Sequence, residues 1–241
     1  MKKPIVTFSP ADEANFPYFQ MMEKTLRKFY SPEELPLIRF DNPNPMDKDF
    51  WYRATPVLAK QLLEEYEIVI KIDSDSLILG KFDEAWEGEF DIACVNNSNP
   101  REPQIGLQGI HPLEYLNAGF VIMKSPTFVN AWYNLCHSQR FQQFQFREQD
   151  IMNLMCYFGN YTVKLLDSGD SFYGLAAKGW YPYCKISNNE VILLKEDREW
   201  PQQGDKKIKI FHAAGGNIPN KLNYRIHFTD EVQTYIEGLL K

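Results

Sequence analysis

Ile68-Val69-Ile70-Lys71-Ile72-Asp73-Ser74-Asp75 is an apolar run of strand length that ends on two carboxylates, two residues apart. Residues i and i+2 of an extended chain face the same way, so both acids can aim at one point. Two hard oxygen donors on one face suit a divalent cation, and such a cation can grip a diphosphate. Asp and Ser are also common turn residues, and acids often cap a helix after a strand. Further polar groups downstream bear on the choice between these readings.

Ile208-Lys209-Ile210-Phe211-His212 reads as a strand that ends on a histidine and runs into Ala213-Ala214-Gly215-Gly216. A neutral imidazole at a strand end suits a third metal ligand beside two carboxylates, the alternative being a structural histidine bonded to backbone. Asn117-Ala118-Gly119 directly precedes an apolar run, where small residues let a ligand approach the backbone. Glu148-Gln149-Asp150 opens a predicted helix, so its polar side chains can project from a sheet edge into a pocket.

The elements that must position these groups follow from periodicity. Ile5–Phe8 is predicted as a first strand, followed by a helix to about Tyr30, and Leu37–Phe40 as a second strand. Thr55-Pro56 is a helix start with Thr as N-cap, and that helix runs to about Tyr66, directly before the acid-bearing strand. Strand, helix, strand, helix, strand is the signature of a parallel sheet layered with helices, which bind ligands outside the carboxyl ends of the strands. Asp73 and Asp75 fall there. Asp91–Val95 and Phe120–Met123 are further strands, Ser125-Pro126 opens a helix to about His137, and another spans about Glu148 to Phe158, stopped by Gly159. Val191–Leu194 and Ile208–Phe211 are late strands, and Thr229 caps a terminal helix. The polar stretch from Asn96 to His111 is a loop.

With 241 residues, 44% hydrophobic and 24% charged, the composition is that of one substantial soluble α/β domain. A net charge of −6 argues against nucleic acid or an anionic membrane as partner. An anionic substrate would need local cations, which again favours a bound metal. Cys94, Cys136, Cys156 and Cys184 form no CxxC pair, so neither a zinc site nor a disulfide framework is expected. No apolar stretch reaches membrane-spanning length and the start shows no signal-peptide core, so the expectation is a cytoplasmic protein without a transmembrane segment.

In this order, Tyr52-Arg53-Ala54, Asp73-Ser74-Asp75, Asn117-Ala118-Gly119, Glu148-Gln149-Asp150 and His212-x-x-Gly215 are similar to the motifs of GT-A-fold glycosyltransferases. Within that group the chain resembles the glycogenin and bacterial galactosyltransferase family of retaining, metal-dependent enzymes. The resemblance implies a Rossmann-like, mixed but mainly parallel sheet flanked by helices in a single domain over 1–241. Residues 1–125 would form the nucleotide-sugar half and residues 126–241 the acceptor side with the metal histidine.

The resemblance also implies roles. Asp73, Asp75 and His212 would hold Mn²⁺ or Mg²⁺, with Asp73 and Ser74 also near the donor. Thr7 and Phe8 would lie by the base and Arg53 near the diphosphate or sugar. Asn117, Ala118 and Gly119 would line the ribose and sugar, and Gly215, in the glycine turn behind the histidine, would also bind the donor. Glu148, Gln149 and Asp150 would form the catalytic side, facing the sugar hydroxyls and anomeric carbon. Two departures stand out: the family's diphosphate-contacting lysine after this glycine is Ile218 here, before Pro219, so that either Lys221, the nearest lysine, binds the donor through an altered loop or this phosphate contact is absent, and Glu148 replaces a more usual aspartate.

The implied activity is metal-dependent hexosyl transfer from a nucleotide sugar, expected to be a UDP-sugar, to a glycan, glycolipid or protein, with retention. Two alternatives stay open: a DxD phosphohydrolase of the haloacid dehalogenase type, and a catalytically degenerate carbohydrate-binding protein. No GxGxxG or P-loop pattern supports dinucleotide or P-loop chemistry. Phe172, Tyr173, Trp180, Tyr181 and Tyr183 offer aromatic faces for an acceptor sugar, or else close over the core.

Overall fold

Six strands form the central sheet of the computed structural model, which describes residues 2–43, 49–96, 109–110, 114–166, 169–174, 184–194, 205–213 and 228–241. In chain order they are β1 (Lys3–Pro10), β2 (Leu37–Phe40), β3 (Tyr66–Ile72), β5 (Ile92–Asn96), β6 (Leu116–Met123) and β7 (Val163–Leu165). The spatial order is β2-β1-β3-β6-β5-β7. β1 runs parallel to β2 and to β3, and β5 is parallel to β7. β6 is antiparallel to both its neighbours, so the sheet is mixed and mainly parallel, as expected.

Helices cover both faces. α2 (Phe50–Glu65), α3 (Pro126–Cys136) and α4 (Arg147–Phe158) pack with Val69, Val121, Met123, Ile92 and Cys94 on one side. α1 (Phe16–Leu26) packs with Ile70, Ile72, Phe120, Ile122 and Ala93 on the other. Successive residues of Val69–Ile70, Ile92–Cys94 and Phe120–Met123 therefore serve different cores, as the two-residue period of a strand requires. A short β4 (Ser76–Ile78) pairs antiparallel with β12 (Ile210–His212). β8 (Ser171–Phe172), β9 (Cys184–Ser187), β10 (Glu190–Leu193) and β11 (Lys206–Ile208) make a second sheet beside α5 (Asp230–Leu239).

Several boundaries differ from the sequence reading for local reasons. α2 starts at Phe50 rather than Thr55, because Phe50 and Ala54 pack on the core, and Pro56 is carried inside the helix. The bond Pro56 cannot donate would go to the carbonyl of Tyr52, a residue 48% exposed. α1 stops at Leu26, and Tyr30 turns inward so that its hydroxyl accepts the Phe82 N–H at 2.5 Å. The predicted strand at 208–211 is split by Lys209 into β11 and β12. Ser125 does cap α3, accepting from Phe128 N, whereas Thr229 sits at the start of α5 without making a side-chain cap. The four cysteines are free thiols, and no helix among the described residues is long and apolar enough to cross a membrane.

β6 is also longer than predicted. Asn117, Ala118 and Gly119 lie inside it rather than in a turn before it. The register jumps here: Cys94 pairs with Val121 but Val95 with Asn117, leaving Ala118, Gly119 and Phe120 without a β5 partner. Such a bulge frees backbone groups beside a sheet edge, a frequent device next to active sites.

α4 is fastened to the start of β6 by one buried amide. Asn153 accepts from Leu116 N at 2.7 Å and donates to Leu116 O at 2.9 Å and Gln149 O at 2.8 Å. Replacing it by alanine strands both Leu116 backbone groups in the core. Asn153→Ala should lower unfolding stability by about 2–4 kcal/mol, read from the denaturation midpoint at unchanged m-value. A change below about 0.5 kcal/mol would show that the clamp is dispensable.

Candidate metal and donor site

The acid-bearing strand delivers its side chains where the start of β6 arrives. Asp73 N donates to Gly119 O at 2.8 Å, one residue beyond the last β3–β6 pair, Ile72 with Phe120. Ser76 N closes a tight turn onto Asp73 O at 3.1 Å, reversing the chain into β4. Because β12 runs antiparallel to β4, with His212 opposite Ser76, the last residue of the ribbon returns to the acids. Ala213 N to Asp75 O at 3.0 Å and His212 N to Gly174 O at 3.1 Å fix it there.

Asp73, Asp75 and His212 thus converge, with one ligand atom from each within 4.8 Å of the others. His212 Nε2 lies 3.3 Å from Asp73 Oδ2 and 3.2 Å from Asp75 Oδ1. Donors at right angles about one ion, each about 2.0–2.3 Å from it, lie about 3 Å apart, so both spacings fit adjacent coordination positions. Two carboxylates and an imidazole suit Mn²⁺ and accept Mg²⁺. Gly119 makes the approach possible: a Cβ there would overlap the His212 ring and meet Asn117 Oδ1.

The electrostatics of the cluster are balanced internally. Burial disfavours the His212 imidazolium, but attraction from Asp75 and hydrogen bonds to both acids outweigh it and raise the ring to about 9. Burial likewise opposes ionised Asp73, yet the Lys71 ammonium and His212 hold it below the usual carboxylate range. Lys71 is 5% exposed, forms an ion pair with Asp73 Oδ1 and donates to Ala118 O at 2.7 Å. It was visible as the one charged residue within the apolar run, but only the fold shows that it shares the acids' face.

Around this cluster the predicted residues take distinct places. Gln149 is held against β6, its Oε1 accepting from Ala118 N at 2.8 Å and Asn117 Nδ2 at 3.2 Å. Asn117 Oδ1 in turn accepts from Gly119 N at 2.7 Å. Glu148 has a buried Oε2 with no hydrogen-bond partner among the described residues. Burial pushes its carboxyl up to about 8; Lys71 opposes this, while Asp73 and Asp150 add to it. Asp150 is buried, accepting from Tyr115 Oη at 2.6 Å and Phe146 N at 2.9 Å, and so anchors the start of α4.

Other predicted residues stand further back. Ser74 is buried between the two acids in sequence. Thr7 is fully buried, its Oγ1 without a hydrogen-bond partner among the described residues, and the Phe8 ring lies in the core, edge-on to Phe40. Arg53 is half-buried on α2, its guanidinium 5.8 Å from the centre of the Phe141 ring. Phe172 and Tyr173 are core residues, Tyr173 stacking on Phe120 and bonding Glu84 at 2.7 Å. Gly215, Ile218, Lys221, Trp180, Tyr181, Tyr183 and most of the 96–111 loop lie outside the described residues. Sequence reasoning overlooked Lys71, Tyr115 and Asn153, which hold the site rather than form its obvious motifs.

The fold recurs in solved structures of low sequence identity. The galactosyltransferase LgtC, solved with donor and acceptor sugar analogues, matches with a TM-score of 0.59 at 15% identity, covering 98% of this chain and 95% of that one. A glycosyltransferase that glycosylates the major capsid of PBCV-1 matches with a TM-score of 0.55 at 12% identity over 99% of both chains. The bifunctional glycosyltransferase WbbM matches at 0.59 and 13% identity, over 100% of this chain and 52% of its own length. The fold is that of the GT-A glycosyltransferases. No protein-family model and no curated protein matches the sequence itself.

Metal binding must displace the proton on His212, which sets a pH dependence. Apparent Mn²⁺ affinity should fall about tenfold per pH unit as pH drops from 8.5 to 6, with release of close to one proton on binding. Calorimetry in two buffers of different ionisation enthalpy measures both. For the metal-free protein the folded pKa lies above the unfolded one, so this stabilisation is full below about 6.5 and is lost as pH rises through about 9. A pH-independent affinity would remove His212 from the ligand set.

Proposed function

We propose that this chain is a metal-dependent glycosyltransferase that moves a sugar from a nucleotide-sugar donor, a UDP-sugar, to a hydroxyl acceptor, with retention. The observation that carries the proposal is the convergence of Asp73, Asp75 and His212 beside Asn117–Gly119 at the edge where GT-A folds carry out transfer. LgtC, with its bound donor and acceptor analogues, supports the reading by likeness of fold. In this reading residues 1–241 act as one transferase domain.

A divalent ion held by Asp73, Asp75 and His212 would neutralise charge on the departing diphosphate. The chain's own groups do the rest. Asn117, Ala118 and Gln149 form one hydrogen-bonded unit, which holds the Gln149 amide in a fixed position beside the reacting sugar. Glu148, with its carboxyl near 8, is mainly protonated at neutral pH and serves as a hydrogen-bond donor to a sugar oxygen. Asp150 is committed to Tyr115 and Phe146. Inverting transfer needs an ionised base opposite the leaving group. The state of these two acids instead favours proton transfer from the acceptor to the leaving phosphate on the same face, which supports retention.

Incubation with UDP-galactose, UDP-glucose and UDP-N-acetylglucosamine plus Mn²⁺ tests the proposal through slow transfer to water, read as UDP release. One donor should be turned over, EDTA should abolish the turnover, and Asp75→Asn should lower it at least a hundredfold with little loss of thermal stability. Turnover of phosphomonoesters with none of these donors would favour the phosphohydrolase. Binding of sugars with no turnover would favour a degenerate transferase.

A further inference from the structure

Lys71 on β3 and Asp73 just beyond its end occupy alternate positions, and the turn from Asp73 to Ser76 brings Asp75 round so that one ligand atom from each acid and from His212 converges. Lys71 is buried at the end of β3, between Phe8 on β1 and Val121 on β6 in register. Its ammonium touches Asp73 Oδ1, while Asp73 Oδ2 faces His212. One carboxylate therefore serves two cations: a fixed one inside the strand and the ion the trio would hold. The bond from Lys71 to Ala118 O, at 2.7 Å, locks the ammonium onto the bulge of β6 and keeps it from swinging away when an ion arrives. A buried ammonium is retained only with such partners.

We infer that Lys71 is a built-in cation of the site that shares Asp73 with the divalent ion. It holds the acidic pair together when no ion is bound and keeps metal affinity below what the two carboxylates and the imidazole would otherwise give. The inference rests on the proposed metal-binding role of Asp73, Asp75 and His212. Lys71 is a positioning residue here: it acts on the metal through Asp73 and through charge, and it ligates nothing. Two like-signed centres so close repel through a poorly screened interior, so a neutral side chain at position 71 strengthens metal binding while loosening the metal-free site.

Mn²⁺ titration followed by electron paramagnetic resonance, at pH 8 and without any nucleotide, tests this on wild type, Lys71→Met, Lys71→Gln and Lys71→Arg. Glutamine keeps a donor for Ala118 O, so a folding defect in the methionine variant does not end the test. Both neutral variants should bind Mn²⁺ at least about tenfold more tightly than wild type, and Lys71→Arg should stay within about threefold of it. Without metal, the neutral variants should melt below wild type and recover more of that loss on adding Mn²⁺. Unchanged or weaker Mn²⁺ binding in the neutral variants, with wild type binding normally, overturns the role of Lys71 alone. Absence of Mn²⁺ binding in every protein overturns the metal reading of the trio as well.

Discussion

β6 lies between β3 and β5 but runs against both, and the geometry of the site depends on this reversal. In a wholly parallel sheet, the edge where β3 ends would meet only other strand ends, and the start of a strand would lie on the opposite side. Here the first residues of β6 arrive where β3 finishes, so Asp73 can bond Gly119 across the seam. The bulge at Ala118–Phe120 then opens backbone groups at that point. α4 is tied to the same segment through Asn153 and Gln149, and so presents its first turn to the site. Among the described residues, backbone pairing of β3 with β6 and of β4 with β12 brings the functional groups together, the kind of rigid support that transfer chemistry demands.

That geometry creates an electrostatic problem. Two carboxylates with oxygens within 4.8 Å of each other repel by about 3–4 kcal/mol at an effective dielectric constant of about 20. The chain answers with a lysine in the strand and a histidine from the ribbon, both set against Asp73. Removing the charge on either would raise the cost of ionising the acids. The raised His212 and lowered Asp73 are two faces of one arrangement, in which a proton and an ammonium stand where a metal can take part of the load. Glu148 belongs to the same field: burial pushes its carboxyl up to about 8, Lys71 opposes this and Asp73 and Asp150 add to it, while its buried Oε2 has no hydrogen-bond partner among the described residues.

Much of this was legible in the chain. The Ile68–Asp75 run, its place after two strand–helix units and the histidine closing a late strand all carried local signals of period and residue type. Those signals are strong because a buried strand tolerates few polar residues, so two acids at its end stand out. What could not be read is non-local. Nothing in Leu116–Met123 reveals that it runs backward, or that its first residues are strand rather than turn, because direction is decided by partners distant in sequence. The same holds for Asn153, an ordinary helix residue until Leu116 is set beside it, and for Phe172 and Tyr173, whose aromatic faces are used up by the core. Lys71 was in plain view, but its importance depends on the shared face and on Ala118.

The proposed chemistry of the site depends on Asp73, Asp75 and His212 holding a single divalent ion. Anomalous diffraction from crystals soaked in Mn²⁺ and UDP tests it most directly. One strong peak is expected, about 2.0–2.3 Å from an oxygen of each aspartate and from His212 Nε2. UDP phosphate oxygens should complete its coordination. A peak elsewhere, or UDP bound with full occupancy and no metal between it and the two acids, would contradict the account.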